Sequence, residues 1–299
     1  MPESPDRLHQ RFLQQAGWTR AIRERAFSQF GLPALGKILE VGSGTGAIAS
    51  ELRHGSSGIV VGLDRDHIAN AFAHATSQRV AYVTGLGERL PFPSSAFGLT
   101  CCHFLLLWVA DPLAVLLEMK RVTTPGGEVL CLAEPDYGGR IDYPEGLSEL
   151  GALQEQALRA QGANTRVGRR LRELLHQAGL TNVEAGVLGG EWADEQSSTH
   201  DQRDLEWRTL ADDLSGRVSS ARLRQMEIEF ARAQENGSRV LFVPTFFGWG
   251  ARPPDLGAVG VGRITSVTGR AGAGAGLGSP GRRTEPLVRY EIWRLPAAG

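Results

Sequence analysis

The sequence predicts an α/β protein built on a doubly wound, mainly parallel β-sheet with helices on both faces. Between Gly36 and Asp136, short β-branched or apolar runs alternate with longer segments of helical pattern, as in a series of βαβ units. The glycine-rich segment Glu40-Val41-Gly42-Ser43-Gly44-Thr45-Gly46 follows the first apolar run and precedes a helical segment. In such sheets, ligands bind at the carboxyl ends of the strands.

A helical cover is predicted at the start of the chain, over residues 1–34. Residues recur there at spacings of three or four and form an incomplete apolar face, which Gly17 interrupts: Leu8, Phe12, Gln15, Thr19, Ile22, Ala26 and Phe30. We expect this face to pack on the rest of the protein.

The main domain is predicted over residues 35–250. Strands are expected at residues 37–41, 59–64, 80–83, 99–104 and 128–134, with helices between them at 47–53, 67–76 and 112–122. Helical patterns follow at 147–161 and 169–178, then a further strand at 183–188. A strongly charged helical segment at about 190–236 is interpreted as a surface insertion.

Two apolar runs compete to be the last strand. Residues 239–250, RVLFVPTFFGWG, follow the insertion directly, although Pro244 predicts an edge position or a bulge. Residues 287–293, LVRYEIW, alternate more regularly between apolar and polar. We favour the first run, so residues 251–299 are expected to form a flexible tail rich in Gly and Arg.

Composition indicates an ordinary globular protein and does not favour a nucleic-acid partner. The apolar fraction is 41% and the formal net charge is -1. Cys101, Cys102 and Cys131 lie in apolar runs without metal-binding spacing, and we expect them to fill the core. Trp18 and Trp108 could form a lid or a wall of a binding site, but we expect them to fill the core as well. No segment has the pattern of a membrane span or an N-terminal signal, so the expected location is the cytoplasm. The sequence carries no signal for an oligomeric state.

The glycine-rich turn predicts an adenosine-type ligand. Gly42, Gly44 and Gly46 permit backbone conformations that other residues avoid, so that backbone N–H groups can face a polar ligand. Asp64 ends the next strand, where a carboxylate can accept hydrogen bonds from both hydroxyls of a ribose. Asp64 could instead cap the helix that begins near Asp66. The glycine pattern also matches a dinucleotide site, which leaves NAD as an alternative ligand.

Four motifs in order link these features to a family. EVGSGTG, GLD, GERLPFPSSAF and MKRVTTPGGEVLCLAEPD resemble the motifs of class I (Rossmann-like) methyltransferases that use S-adenosylmethionine, of the ubiquinone/menaquinone and type 11 kind. The resemblance covers about residues 37–136 and is weaker at 169–184. It implies a seven-stranded sheet, S-adenosylmethionine as cofactor, and methyl transfer to a small-molecule O, N or C acceptor. We expect the acceptor to be held under the N-terminal helix and the segment after Asp136. The resemblance also implies that Glu40, the three glycines and Asp64 contact the donor.

In this family the loop after the third strand holds the adenine. Here that loop is Gly85-Leu86-Gly87-Glu88, in which Leu86 replaces the usual Asp, and Gly98 stands where a second Asp often occurs. The resemblance implies that Leu86, the Gly87 backbone and Glu88 contact the adenine. These departures leave a non-catalytic donor-binding protein as one alternative to an enzyme, and an NAD-dependent oxidoreductase is the other.

Methyl transfer is an in-line displacement in which positioning supplies much of the rate, so we expect neither a metal nor a covalent intermediate. A general base is needed only where the acceptor must lose a proton near neutral pH. The candidates at the carboxyl ends of strands are His103, Glu134, Asp136 and Tyr137. We select His103 as the catalytic candidate and as a donor contact, although a packed core histidine would give the same pattern.

Overall fold

The computed structural model describes residues 4–32, 36–77, 79–189 and 200–255, without the side chains of residues 200–203. The helices are α1 (Pro5–Trp18), α2 (Arg20–Gln29), α3 (Ala47–Gly55), α4 (His67–Thr76), α5 (Pro112–Val122), α6 (Ser148–Ala160), α7 (Leu171–Gln177), α8 (His200–Leu214) and α9 (Ser220–Glu235). The strands are β1 (Lys37–Val41), β2 (Ile59–Asp64), β3 (Ala81–Thr84), β4 (Phe97–Cys102), β5 (Thr123–Pro135), β6 (Ile141–Tyr143), β7 (Thr181–Val187), β8 (Val240–Phe242) and β9 (Thr245–Ala251).

Seven strands form one sheet in the order β3-β2-β1-β4-β5-β9-β7. Strands β1 to β5 pair in parallel, whereas β9 runs antiparallel to both β5 and β7. The chain moves outward from β1 to β3 and then returns to the other side of β1 with β4. The predicted fold, a mainly parallel doubly wound sheet, is therefore confirmed, and the point of reversal lies between β1 and β4.

Alternating residues of the strands feed two separate cores, one on each face of the sheet. On one face, Leu39 of β1 packs with the core that includes Leu116 of α5 and Leu171 of α7. On the other face, Ile38 belongs to the core that includes Ala26 of α2. The N-terminal helices therefore add to a core that covers the sheet.

The charged segment after β7 was expected to be a surface insertion. Its described part, α8 and α9, instead encloses a third core with α6, in which Trp207 and Phe230 pack against Leu150. Charged residues line the outer faces of these helices, and ion pairs join α8 to α1: Arg7 with Asp212, and Arg11 with Asp213. The segment is thus a packed layer as well as a charged surface.

The run at 239–250 is not one strand, which corrects the prediction. Pro244 interrupts it because proline has a fixed φ and no N–H to donate to a ladder. Strand β8, before Pro244, pairs with β6 in a separate two-stranded sheet, and β9, after it, enters the main sheet. The expected edge position is also wrong, since β9 lies between β5 and β7. No bulge forms at Pro244, which lies in neither strand; the register shift between Cys131 and Glu134 of β5 lies opposite Phe246 to Gly248.

Strand β9 completes the seven-stranded sheet, as favoured by the sequence. The competing run at 287–293 and the predicted tail from 256 onwards lie outside the described residues. The three cysteines are buried and unpaired, which confirms that they fill the core. The prediction that Trp18 and Trp108 fill the core is wrong, because these residues are 60% and 37% exposed. Within the described ranges, no helix has the length and apolar character needed to cross a membrane.

We expect a chain that ends at Asp255 to unfold cooperatively with an unchanged melting midpoint, as measured by circular dichroism. The truncation keeps β9 and Arg252, whose backbone N–H donates to Gly127 at 2.8 Å and whose carbonyl accepts from Gly126 at 2.9 Å. A chain that ends at Val243 lacks β9 and should lose the cooperative transition. Loss of cooperativity in the longer chain would contradict the assignment of β9 as the last strand of the core.

Candidate active site

The glycine-rich turn between β1 and α3 follows a left-handed path that requires glycine. Gly42, Gly44 and Gly46 have φ angles of +78°, +49° and +83°. The N–H groups of Gly42 and Ser43 both donate to the Leu63 carbonyl of β2, at 2.7 and 3.0 Å. These two bonds tie the turn to the end of the neighbouring strand.

Asp64 at the end of β2 faces this turn. One carboxylate oxygen accepts from the Gly44 N–H at 2.7 Å, and the other accepts from the Asp66 N–H at 2.9 Å. The cap of α4 is Asp66, whose side chain accepts from the N–H groups of Ile68 and Ala69. The alternative role of Asp64 as a helix cap is therefore wrong.

Glu40 is a buried carboxyl group next to the same turn. Its side chain is 2% exposed, and its Oε2 atom makes no hydrogen bond to any described residue. Burial raises its pKa to about 8, and the nearby negative charge of Asp64 acts in the same direction. A buried, unpartnered acidic oxygen suits a cationic ligand group.

A cavity of about 530 Å³ lies at the carboxyl ends of the strands, beside the point where the strand order reverses. Its walls include every predicted binding residue except one: Glu40, Gly42, Gly44, Asp64, Leu86, Gly87, Glu88 and His103. The exception is Gly46, where a Cβ would meet Tyr82 and Ala73 instead. Gly46 therefore serves the packing of α3 against β3 and α4.

The loop after β3 forms the far wall of the cavity. The Leu86 side chain is 55% exposed, and a tight turn follows it, in which the Arg89 N–H donates to the Leu86 carbonyl at 3.2 Å. A Cβ at Gly87 would lie 3.2 Å from Val41, a tight contact that glycine avoids where the loop approaches β1. The loop thus offers an apolar side chain and accessible backbone to a flat ring.

His103, just after β4, borders the cavity and contacts the N-terminal helices. Its Nε2 lies 2.8 Å from the Thr19 hydroxyl oxygen at the junction of α1 and α2. Burial lowers its pKa to about 3, and the positive charge of Arg23 contributes further. His103 is therefore neutral at physiological pH and a weak proton acceptor, which disfavours its use as a general base.

The other base candidates have different surroundings. The Oε1 atom of Glu134 accepts from the N–H groups of Leu105 and Leu106, at 3.1 and 3.0 Å, and so fixes the turn after β4. Asp136 pairs with Arg169, with one bond of 2.7 Å. Neither carboxylate is among the residues that line the cavity, whereas Tyr137 is.

Helix α1 supplies one wall of the cavity, where the sequence placed a helical cover without naming its contact residues. Phe12 lies so close to the turn that a Cβ on Gly44 would be 2.6 Å from its ring, and His9 Nδ1 is 2.9 Å from the Thr45 hydroxyl. Further residues in the cavity wall are Arg11, Gln15, Trp108, Tyr137, Leu158 and Gln161. The periodicity of α1 predicted a buried face, but periodicity cannot identify what a face covers.

Comparison with known proteins gives consistent matches. A family model described as "Methyltransferase domain" matches residues 39–131. An uncharacterized methyltransferase of Schizosaccharomyces pombe is 30% identical over 211 residues, 64% of this chain and 76% of its own. The demethylmenaquinone methyltransferase of Bacillus licheniformis is 30% identical over 196 residues, 58% of this chain and 81% of its own.

One solved structure supports the fold. The phosphoethanolamine N-methyltransferase 2 of Haemonchus contortus, in complex with S-adenosyl-L-methionine, aligns with a TM-score of 0.53 at 15% identity. The alignment covers 79% of this chain and 52% of that one. This alignment shows the fold, and the sequence relatives establish that the chain belongs to the class I S-adenosylmethionine-dependent methyltransferases. The expected enzyme class is confirmed, and it takes precedence over the alternative of an NAD-dependent oxidoreductase.

We expect Glu40→Gln to raise the stability of the ligand-free protein, increasingly so as the pH rises. An unfolded glutamate ionises near 4.5, whereas burial holds the folded pKa of Glu40 at about 8. The folded state therefore binds the extra proton between these values, and wild-type stability falls across that window. Since one pKa unit is worth about 1.4 kcal/mol, the variant should gain a few kcal/mol at pH 8, or roughly 5–10 °C in the melting midpoint. The control is Glu24→Gln, an exposed glutamate on α2. Equal melting midpoints for Glu40→Gln and wild type at pH 8 would contradict the burial argument.

We expect the imidazole of His103 to stay neutral from pH 5 to pH 9. Its folded pKa of about 3 lies below the ordinary value of 6.5, so the folded state is favoured above 6.5 and loses that advantage as the pH falls towards 3. A pH titration followed by NMR, with the His103 signals assigned through His103→Asn, measures this directly. A midpoint near 6.5 would show that the site is more hydrated than its geometry indicates.

Proposed function

We propose that this enzyme transfers a methyl group from S-adenosylmethionine to a small-molecule acceptor bound between the strand ends and α1. The observation that carries the proposal is the unpartnered carboxyl group of Glu40, which lies in one cavity with Asp64 and the glycine turn. A buried acid, a ribose-compatible acid and a left-handed turn match the three polar parts of the donor. The residues present therefore fit the cofactor.

Each part of the donor has a corresponding residue. Glu40 would hold the α-ammonium group, whose positive charge would lower the pKa of the carboxyl and favour its ionised form. Asp64 would accept hydrogen bonds from the ribose hydroxyls, while Leu86, Gly87 and Glu88 would border the adenine. When bound, S-adenosylmethionine supplies a methyl group on a positively charged sulfur.

The protein's own contribution to the reaction is mainly positioning. Phe12 on α1 stands over the glycine turn, so this helix limits the access of water to the donor side. Trp108 and Tyr137 line the acceptor side with His103, and they can fix the ring or chain that carries the nucleophile. Holding nucleophile and methyl group in line can supply several kcal/mol of the rate enhancement, on the order of 7–11 in favourable cases.

The acceptor is proposed to be a small molecule, because the cavity is about 530 Å³ and partly aromatic. Demethylated quinones are natural members of a test panel, since one relative is a demethylmenaquinone methyltransferase. The identity of the methylated atom, and a cytoplasmic location, remain predictions.

The deciding experiment incubates purified protein with a cell extract and methyl-labelled S-adenosylmethionine, followed by mass spectrometry for labelled products. We expect one or a few small molecules to gain a labelled methyl group, with a heat-treated sample as control. Tight binding of S-adenosylhomocysteine without labelled product, from extracts and the quinone panel alike, would favour the non-catalytic alternative.

We expect Asp64→Asn to weaken the binding of S-adenosylhomocysteine by about 1.5–3 kcal/mol, the range for hydrogen bonds to a charged group. This corresponds to a loss of affinity of about 10- to 150-fold, which isothermal titration calorimetry measures. Asp111→Asn is the matched control, because Asp111 caps α5 through the Ala114 N–H at 3.0 Å and does not line the cavity. If both variants bind like wild type, Asp64 is not a donor ligand.

A further inference from the structure

His103 is connected to a buried chain of polar groups that the proposed reaction does not use. The chain runs from His103 to Thr19 at the helix junction, to Arg23 on α2 and to Glu51 on α3. Thr19 and Arg23 are 2% and 1% exposed. The imidazole of His103 at the cavity wall is thus linked through the buried side chains of Thr19 and Arg23 to α3, the helix that follows the glycine turn.

Arginine determines the direction of the hydrogen bonds in this chain, because a guanidinium group only donates. Arg23 Nη1 lies 2.5 Å from the Thr19 hydroxyl oxygen, which must accept that bond. The remaining nitrogens used by Arg23, Nε and Nη2, donate to the Glu51 carboxylate at 3.0 and 2.8 Å. The guanidinium is therefore held in one orientation by an ion pair.

The single proton of the Thr19 hydroxyl has three acceptors within reach. His103 Nε2 is at 2.8 Å, whereas the carbonyls of Gln15 and Ala16 are at 3.3 and 3.4 Å, near the limit for a hydrogen bond. The cationic donor Arg23 also polarises the hydroxyl and makes it a better donor. Distance and polarisation both direct the proton to Nε2.

If Nε2 accepts, a neutral imidazole carries its proton on Nδ1. Nδ1 makes no hydrogen bond among the described residues, and His103 borders the cavity. We propose that Thr19 and Arg23 are positioning residues that hold His103 as the Nδ1–H tautomer, which donates a hydrogen bond to the methyl acceptor.

The second half of this inference rests on the proposed function, and it defines a class of acceptor. A histidine held in this form does not remove a proton; it binds a lone pair. The acceptor therefore presents an oxygen or nitrogen lone pair to His103, and the methylated atom is one that needs no deprotonation by this residue. Nitrogens that are unprotonated at neutral pH, such as those of aromatic rings and weakly basic amines, and oxygen groups that are already anions at neutral pH meet this requirement.

The tautomer is measured by 15N NMR of the full chain labelled in its histidine rings, since protonated and unprotonated ring nitrogens differ widely in chemical shift. Signals of His103 are assigned through His103→Asn. We expect wild-type protein to have a protonated Nδ1 and an unprotonated Nε2. A protonated Nε2 in the wild type overturns the proposal, and this result requires no variant of Thr19.

Variants of Thr19 then test the source of the tautomer. Thr19→Val, which keeps the shape and removes the hydroxyl, should lose the preference for Nδ1–H, while Thr19→Ser should keep it. Thr76→Val is the matched control, because the Thr76 hydroxyl donates only to carbonyls of its own helix. An unchanged tautomer in folded Thr19→Val would show that Thr19 does not position His103.

The proposed hydrogen bond from His103 to the acceptor is tested separately, by measuring kcat/KM. With an acceptor identified, Thr19→Val should lower kcat/KM by about tenfold, the effect of one hydrogen bond, and Thr19→Ser should restore it. Affinity for S-adenosylhomocysteine should be unchanged in both. Wild-type kcat/KM in Thr19→Val would overturn the role of His103 as a donor to the acceptor. Should no acceptor be methylated at all, the proposed function fails, whereas the NMR result still decides the tautomer.

Discussion

The site depends on the pair of hydrogen bonds that the Leu63 carbonyl accepts from Gly42 and Ser43. They join the turn after β1 to the end of β2, so two elements that are adjacent in the sheet become one rigid unit. The left-handed glycines make this attachment possible, because a side chain would meet Leu105 at Gly42 or Phe12 at Gly44. Everything on the donor side is positioned relative to this junction, including the Asp64 carboxylate.

The same junction brings two acidic groups together in a place that folding alone would avoid. The negative charge of Asp64 adds to burial in raising the pKa of Glu40, and Glu40 is buried without a partner for one oxygen. Such an arrangement costs stability in the ligand-free protein. It is understandable as a site prepared for a cation, where binding removes part of the cost. The residues that lower the stability of the ligand-free protein are thus the same few residues that are proposed to bind the ligand.

The sequence predicted the parts of the protein that local rules determine. Strand β1, the glycine turn and Asp64 follow from periodicity and from residue types with special backbone behaviour. The break at Pro244 was only partly foreseen, because proline indicates a disruption but not where the chain goes next. Phe12 over the turn, and Thr19 against His103, depend on contacts between distant segments, and no spacing in the sequence encodes them. The acceptor side was therefore the less predictable half.

The attachment of α1 to α8 has a consequence for how the protein reaches its active form. Arg7 and Asp212 are 205 positions apart in the chain, whereas the donor side is assembled from segments between β1 and β4. Long-range contacts form late because a large loop must close first. During synthesis, the segments that carry the proposed donor-binding residues can therefore fold before the ion pairs between α1 and α8 form. Affinity for the donor would then precede selectivity for the acceptor in the life of each molecule.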